Sequence, residues 1–239
     1  MSSETAPFTV AFDADDTLWH NEDAFRNVEH LFDELMAPWA DAQTAQGALI
    51  QIERDNVGLY GYGVKSFALS MIAAACHLSN DEVPAATLRR FVETANDLLA
   101  MPTKLIDDAR ETLEAVAARF PTMIITKGDL HHQMRRLAAA DISDTVFDVE
   151  VVAEKDAATY ARILGRHRID PTRFVMIGNS IVSDVAPLLE LGAMALHIPY
   201  YTTWALETAT ADPDPSPRWK QLDTIAQVPA ALEELAGLL

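Results

Sequence analysis

Basic residues are scarce in this chain. It carries 18 Lys and Arg against 36 Asp and Glu, a formal net charge of −18 at pH 7. Such a balance argues against a nucleic-acid partner or an anionic membrane surface. It leaves a small anionic ligand open, because a few local cations, a metal ion or backbone N–H groups bind one inside an acidic envelope. Cysteine is almost absent: Cys76 stands alone. No intramolecular disulfide and no thiolate metal cluster is therefore possible. Within "FALSMIAAACHL" Cys76 reads as a small buried hydrophobe. No run approaches the roughly 20 apolar residues of a membrane helix. The opening "MSSETAPFTV" has neither the basic flank nor the apolar stretch of a secretion signal. The expectation is a cytoplasmic protein with no membrane partner. Internal repeats are lacking too, and the one biased segment is "TADPDPSPRW" at 210–219, a Pro-rich connection.

What is present is an ordinary globular composition, 49% apolar and 23% charged over 239 residues. That length exceeds most single cores of about 100–150 residues and falls short of two full ones, so one domain with a sizeable insertion fits best. Short β-branched or apolar runs at 8–12, 122–126, 146–152, 174–178 and 194–198 read as buried strands. From 107 onward they alternate with helical stretches at 107–119, 130–140, 156–167 and 181–191, with Asp129 as an N-cap and Gly192 as a stop. A last helix is expected at 228–238. This alternation predicts an α/β fold, a Rossmann-like parallel sheet with helices on both faces. Between 20 and about 104 the strand signal vanishes. Four amphipathic helices can be drawn, at 22–37, 41–57, 64–78 and 84–100. In the last, Leu88, Phe91, Val92, Ala95, Leu98 and Leu99 make one apolar stripe. The predicted domains are a core formed by 1–19 and 105–239 and an inserted four-helix cap at 20–104.

Ligands of an open parallel sheet bind beyond the carboxyl ends of its strands. The residues there are Asp13, Asp15, Asp16 and Thr17; Thr126, Lys127 and Gly128; Glu154, Lys155 and Asp156; and Gly178, Asn179, Ser180 and Asp184. The first group lies in "FDADDTLW", three carboxylates in four positions. Like charges this close repel unless a cation sits among them. An all-oxygen donor set suits Mg²⁺ better than Zn²⁺, for which there is no His/Cys grouping. Lys155 and the Thr126 hydroxyl would supply the complementary charge and hydrogen bond for a phosphate. An aspartate beside Mg²⁺ can attack phosphorus, and a second acid two residues on can protonate the leaving oxygen and later activate water.

"FDADDTLW" resembles the first motif of the haloacid dehalogenase-like hydrolase superfamily, a hydrophobic strand followed by D-x-D-x-T. Thr126 in "IITKGD", Lys155 in "AEKDAATY" and "IGNSIVSD" resemble its second, third and fourth motifs, in order and each after a predicted strand. The helical insertion between motifs one and two is similar to that of the subgroup with a four-helix cap. The resemblance implies Asp13 as nucleophile and metal ligand, and Asp15 as general acid/base whose carbonyl also ligates the metal. It further implies Thr126 and Lys155 on the phosphate and Asp184 on Mg²⁺. Two positions depart from the pattern. Asn179 stands where an aspartate is usual, so the metal ligands expected are Asp13, Asp15, Asp184 and Asn179 with weaker Mg²⁺ binding. Asp16 stands where glycine is common and reads as a solvated turn residue.

Lys127 joins Thr126 and Lys155 as a candidate phosphate ligand. Lys65 is a further candidate: it lies in "GLYGYGVKSF", 58–67, which reads as a substrate-specificity loop or a helix joint, with Tyr60 or Tyr62 packing on substrate. His131 and His132 read as solvated helix residues, since a vicinal pair cannot chelate from one helix face. His20 and Asn21 read as substrate contacts or hinge residues; His197, Tyr200, Tyr201 and Trp204 as packing; Asp156 as an N-cap. The leading expectation is a Mg²⁺-dependent phosphatase of a small phosphorylated metabolite, acting through an aspartyl-phosphate on Asp13. The alternatives are a 2-haloacid dehalogenase, a phosphonatase or phosphomutase, and a receiver-like signalling or binding module. An alkyl halide departs without protonation, so Asp15 speaks against the dehalogenase. A receiver would carry its phosphoacceptor after the third strand. Monomer and homodimer are both compatible with the sequence.

Overall fold

The computed structural model describes residues 7–209, 211 and 213–237. Two compact units divide them: one runs to His20 and continues over Thr103–Lys127 and from Gln133 onward, and the other comprises Asn21–Pro102 and Gly128–His132. The first unit holds a six-stranded sheet: β1 (Thr9–Phe12), β2 (Thr122–Lys127), β3 (Asp148–Val152), β4 (Phe174–Gly178), β5 (Met194–His197) and β6 (Trp219–Gln221). Its order is β3-β2-β1-β4-β5-β6, and every pairing is parallel. Both faces are covered, which is why the strands read as continuous apolar runs. Val10, Phe12, Ile124 and Ile177 enter one core, while Ala11, Met123, Ile125 and Met176 enter the other. β1 lies centrally between β2 and β4. The chain winds outward one way through β2 and β3, then the other way through β4 and β5, so the reversal falls between β1 and β4. A crevice forms at such a reversal.

The second unit contains α1 (Glu22–Met36), α2 (Ala42–Tyr60), α3 (Val64–Ser79) and α4 (Ala85–Ala100). Phe32, Met36, Leu49, Phe67, Met71 and Phe91 fill its core. Asp41 caps α2, accepting from Thr44 N at 2.8 Å. The expected joint at 58–67 is much shorter, because α2 runs through Tyr60. Only Gly61–Gly63 remain between helices, with Gly61 at φ 70° and Gly63 at φ 106°. Such backbone angles favour glycine, and they stop one helix and start the next. The α4 stripe is also rotated from its expected position. Val92 is 46% exposed, whereas Thr94 turns inward and satisfies its hydroxyl on the Arg90 carbonyl at 2.8 Å. Cys76 is only partly buried against this core.

The sheet is flanked by α5 (Ala109–Ala117), α6 (Leu130–Ala140), α7 (Ala157–His167), α8 (Ala186–Glu190) and α9 (Val228–Ala236). β6 falls partly within the stretch expected to be a connection; Trp219, Lys220 and Gln221 pair with Ala195, Leu196 and His197. The helix expected at 181–191 is broken into a wide π turn, Ile181–Val185, followed by α8. Pro187 has no N–H for the carbonyl of Ser183, four residues earlier. That carbonyl accepts the Tyr160 hydroxyl at 3.0 Å instead. No helix among the described residues is long and apolar enough to cross a membrane.

Candidate active site

Three charged groups meet where β1, β3 and β4 end. Lys155 Nζ lies 2.5 Å from Asp13 Oδ1 and 2.6 Å from Asp184 Oδ1, and all three side chains are buried. Asp13 is the residue after β1, and its N–H is held by the Ile177 carbonyl of β4 at 2.8 Å. Gly178, the last residue of β4, has no room for a side chain because the Asp184 side chain crosses it; a Cβ there would lie 2.3 Å from Asp184 Cγ. The second Asp184 oxygen accepts from Ser180 N at 3.1 Å. Asp156 caps α7, accepting from Thr159 N at 2.7 Å, which fixes the turn that carries Lys155. Two buried carboxylates share one ammonium, so the cluster is one negative charge in excess. Burial, reinforced by Asp184 and Asp15 and only partly offset by Lys155, pushes the Asp13 carboxyl up to about 7. Burial alone would drive the Lys155 ammonium down, but Asp13 and Asp184 outweigh it and hold its affinity for the proton above the ordinary value.

Asp15 points into a different network. Its Oδ1 accepts from Trp19 Nε1 at 2.7 Å and Arg136 Nη1 at 2.6 Å, and its Oδ2 from Gln133 Nε2 at 2.7 Å. Arg136 also donates to the His20 carbonyl at 2.8 Å and lies over the Trp19 ring at 5.1 Å. Gln133 Nε2 reaches Thr126 Oγ1 at 2.9 Å as well. A hydroxyl oxygen that accepts there keeps its own proton for another acceptor. Trp19, Gln133 and Arg136 were not found by sequence reasoning. The available signal was spacing: Trp19 follows Asp15 by four residues, and Gln133 and Arg136 share a face of α6.

The Asn179 amide satisfies its neighbours with its nitrogen turned inward, donating to Asp13 Oδ2 at 3.1 Å and to the Asp15 carbonyl at 3.3 Å. Turned the other way, the same position would offer an oxygen. Mg²⁺ binds oxygens at about 2.0–2.1 Å in an octahedron, whose edges are then about 3 Å. The inward atom of the Asn179 amide lies near that spacing from both Asp13 Oδ2 and the Asp15 carbonyl, at 3.1 and 3.3 Å, and the cluster lacks one positive charge. Both facts fit a divalent cation. Asp148, Glu150 and His167 form a separate grouping whose ligand atoms lie within 4.8 Å of one another. His167 Nε2 is 3.1 Å from Asp148 and 3.0 Å from Glu150, and Arg166 pairs with Glu150. The contacts of the His167 imidazole with both carboxylates and the Arg166–Glu150 ion pair account for that closeness.

Lys127 engages Glu207, Glu154 and Ser183. Lys65, in the helical unit, pairs with Asp129 at 2.7 Å, and Asp129 also accepts from His132 N at 2.9 Å, capping the next helix. Asp16 is a turn residue at φ 60°, as expected, but it is buried rather than solvated. Its N–H is taken by the Trp19 carbonyl at 2.7 Å, which closes the turn over it. His131 is exposed and His132 partly so. His20 Nδ1 meets Tyr200 Oη at 2.7 Å, and the buried His197 contacts the Asn179 carbonyl through Nε2 at 3.0 Å.

Comparison with known proteins bears on this geometry. Residues 9–192 match the family model for haloacid dehalogenase-like hydrolase. A haloacid dehalogenase-like family hydrolase from Xanthomonas campestris is 36% identical over 100% of this chain and 95% of its own, with a TM-score of 0.89. A predicted phosphoglycolate phosphatase from Haemophilus somnus is 16% identical over 95% of this chain and 98% of its own, with a TM-score of 0.63. A 2-haloacid dehalogenase from Pseudomonas syringae is 20% identical over 95% and 98%, with a TM-score of 0.62. These last two share the fold. Among curated proteins none matches the chain.

Proposed function

Because this chain belongs to the haloacid dehalogenase-like hydrolase family, we propose that it is a Mg²⁺-dependent phosphatase of a small phosphorylated metabolite, with Asp13 as nucleophile. The observation that carries this reading is Asp15, a second carboxyl group two residues from the nucleophile and held by three donors. Displacing halide from carbon requires no proton donor, whereas expelling an alkoxide from phosphorus does. The fold neighbours include both phosphatase and dehalogenase descriptions, so the choice rests on this chain's own residues.

Asp13 attacks phosphorus while Asp15 carries a proton; the P–O bond to the leaving group breaks, and the departing oxygen takes that proton, leaving Asp15 as the carboxylate. Asp15, now a base, removes a proton from water, which attacks the aspartyl-phosphate and releases inorganic phosphate and the Asp13 carboxylate. Lys155 balances charge beside the attacking carboxylate. Thr126, oriented by Gln133, donates its hydroxyl proton to a phosphoryl oxygen, and Lys127 adds a nearby cation. Mg²⁺, held by Asp13, the Asp15 carbonyl, Asp184 and Asn179, would supply Lewis-acid neutralisation of the phosphoryl charge. Lys65, in its pair with Asp129, is the remaining candidate anion contact. The acidic chain suits a small-molecule partner in the cytoplasm, without nucleic acid or membrane.

A phosphatase screen over a metabolite panel tests this, run with Mg²⁺, with EDTA and with Asp13→Asn. Hydrolysis that needs both Mg²⁺ and Asp13 is expected. Chloride release from 2-chloropropionate in EDTA, or phosphatase turnover surviving Asp13→Asn, would overturn it.

A further inference from the structure

Beside the Asp13 cluster lies a second polar cluster that the chemistry above leaves almost unused. Ser180 Oγ and Ser183 Oγ donate to Glu207 Oε2 at 2.5 and 2.7 Å, and Lys127 pairs with Glu207 Oε1. Lys127 Nζ also reaches Ser183 Oγ at 3.2 Å and Glu154 Oε1 at 3.4 Å. Each donor is next in sequence to a residue of the candidate site: Lys127 to Thr126, Ser180 to Asn179, Ser183 to Asp184. Ser180 is tied back to that site, since its N–H donates to Asp184. The Tyr160 hydroxyl on the Ser183 carbonyl fixes the backbone from which the second hydroxyl projects.

Glu207 has a different origin. It arrives from the long connection between β5 and β6, on a three-residue helical turn, Ala205–Glu207. One ammonium and two hydroxyls aimed at one carboxylate make a receptor for an anion, with charge-assisted bonds of the stronger kind. Burial pushes the Glu207 carboxyl up, but Lys127 and the two serines outweigh it and hold it below its ordinary value.

We propose that Lys127, Ser180 and Ser183 form an anion subsite for a second acidic group of the substrate, a carboxylate or a further phosphate, and that Glu207 fills it as an internal stand-in until substrate displaces it. This rests on the phosphatase reading and narrows it to phosphate esters that carry another anion within reach of the reacting phosphoryl group. Glu207 then acts as a filter. A ligand with a neutral tail leaves it in place, and one with an anionic tail takes over the three donors that Glu207 gives up.

The test is a matched pair of probes: 3-phosphoglycerate, with a carboxylate, and glycerol 3-phosphate, with a hydroxymethyl group in its place. Calorimetric binding to the Asp13→Asn protein with Mg²⁺ needs no turnover. The full chain is expected to prefer 3-phosphoglycerate. Lys127→Met should cut that preference at least tenfold, Ser183→Ala severalfold, and Glu207→Gln should raise it, because a neutral competitor is easier to displace. If Glu207 is only a brace, Glu207→Gln lowers Tm and weakens both probes alike, which overturns the proposal. Equal binding of the two probes by the unsubstituted cluster also overturns it. If neither probe nor any phosphate ester is hydrolysed by the native enzyme, while 3-phosphoglycerate still binds in a Lys127-dependent way, the subsite stands and the phosphatase reading falls.

Discussion

Replacing Lys155 with Met keeps the volume of the side chain and removes the one ammonium that Asp13 and Asp184 share at 2.5 and 2.6 Å. Leaving a buried charge without its partner costs about 3–5 kcal/mol. At about 2–4 °C per kcal/mol for a chain of this size, Tm should fall by about 6–20 °C at pH 8. The loss must depend on pH. Asp13 titrates at about 7 in the folded protein, against 3.8 ordinarily. Its raised value means that the protonated form favours folding at low pH, and that this contribution is lost as pH rises through about 7. At pH 5.5 the variant's Asp13 therefore needs no counter-charge, and the Tm penalty should shrink well below that at pH 8. Removing one acid as well, in Lys155→Met with Asp184→Asn, should recover a large part of the pH 8 loss, a coupling that a double-mutant cycle measures. Scanning calorimetry in EDTA at both pH values provides the assay. An equal penalty at pH 5.5 and 8, or no recovery in the double variant, would refute this account of the cluster.

Three other outcomes follow from the same geometry. Arg136→Met, which takes one of three donors from Asp15, should lower kcat by about tenfold or more with little change in KM, with Arg136→Lys partly restoring it and steady-state kinetics deciding. Gly178→Ala places a Cβ 2.2 Å from Asp184 Oδ2, so it should displace that carboxylate, depress Tm and weaken the Mg²⁺-induced rise in Tm. Asn179→Asp adds a carboxylate beside Asp13 in place of an amide donor. It should lower Tm in EDTA yet tighten Mg²⁺ about tenfold or more by calorimetry, whereas unchanged Tm and affinity would remove Asn179 from the metal position.

The strand-end acids were legible because buried parallel strands announce themselves as apolar runs, and charge that follows such a run has to serve something. Asp13, Lys155 and Asp184 are consequently both predicted positions and spatial neighbours. Less legible were residues whose partners are distant and whose own surroundings have no period. Glu207 lies 80 residues from Lys127 and 27 from Ser180, in a connection with no regular pattern, and nothing local marks it. Gln133 and Arg136 sit on the expected α6, but nothing in their spacing names a partner until Asp15 is seen across from them. β6 was hidden by the prolines before it and by its three-residue length. The break of the helix after β4 was signalled only by Pro187, whose effect depends on Tyr160 arriving to take the orphaned carbonyl.

The central position of β1 has a consequence for how the molecule is made. Val10 pairs with Thr122 on one side and Val175 on the other. At a synthesis rate of about 5–20 residues per second, the first partner leaves the ribosome roughly 110 residues after β1, a wait of about 6–22 s, and the second comes later still. Meanwhile the apolar run around Phe8–Phe12 is without a sheet, while the helices from Glu22 to Ala100 can already pack on one another. The strand that leads into Asp13 thus precedes both of its partners by more than a hundred residues and waits for them, a high-contact-order assembly that favours slow folding.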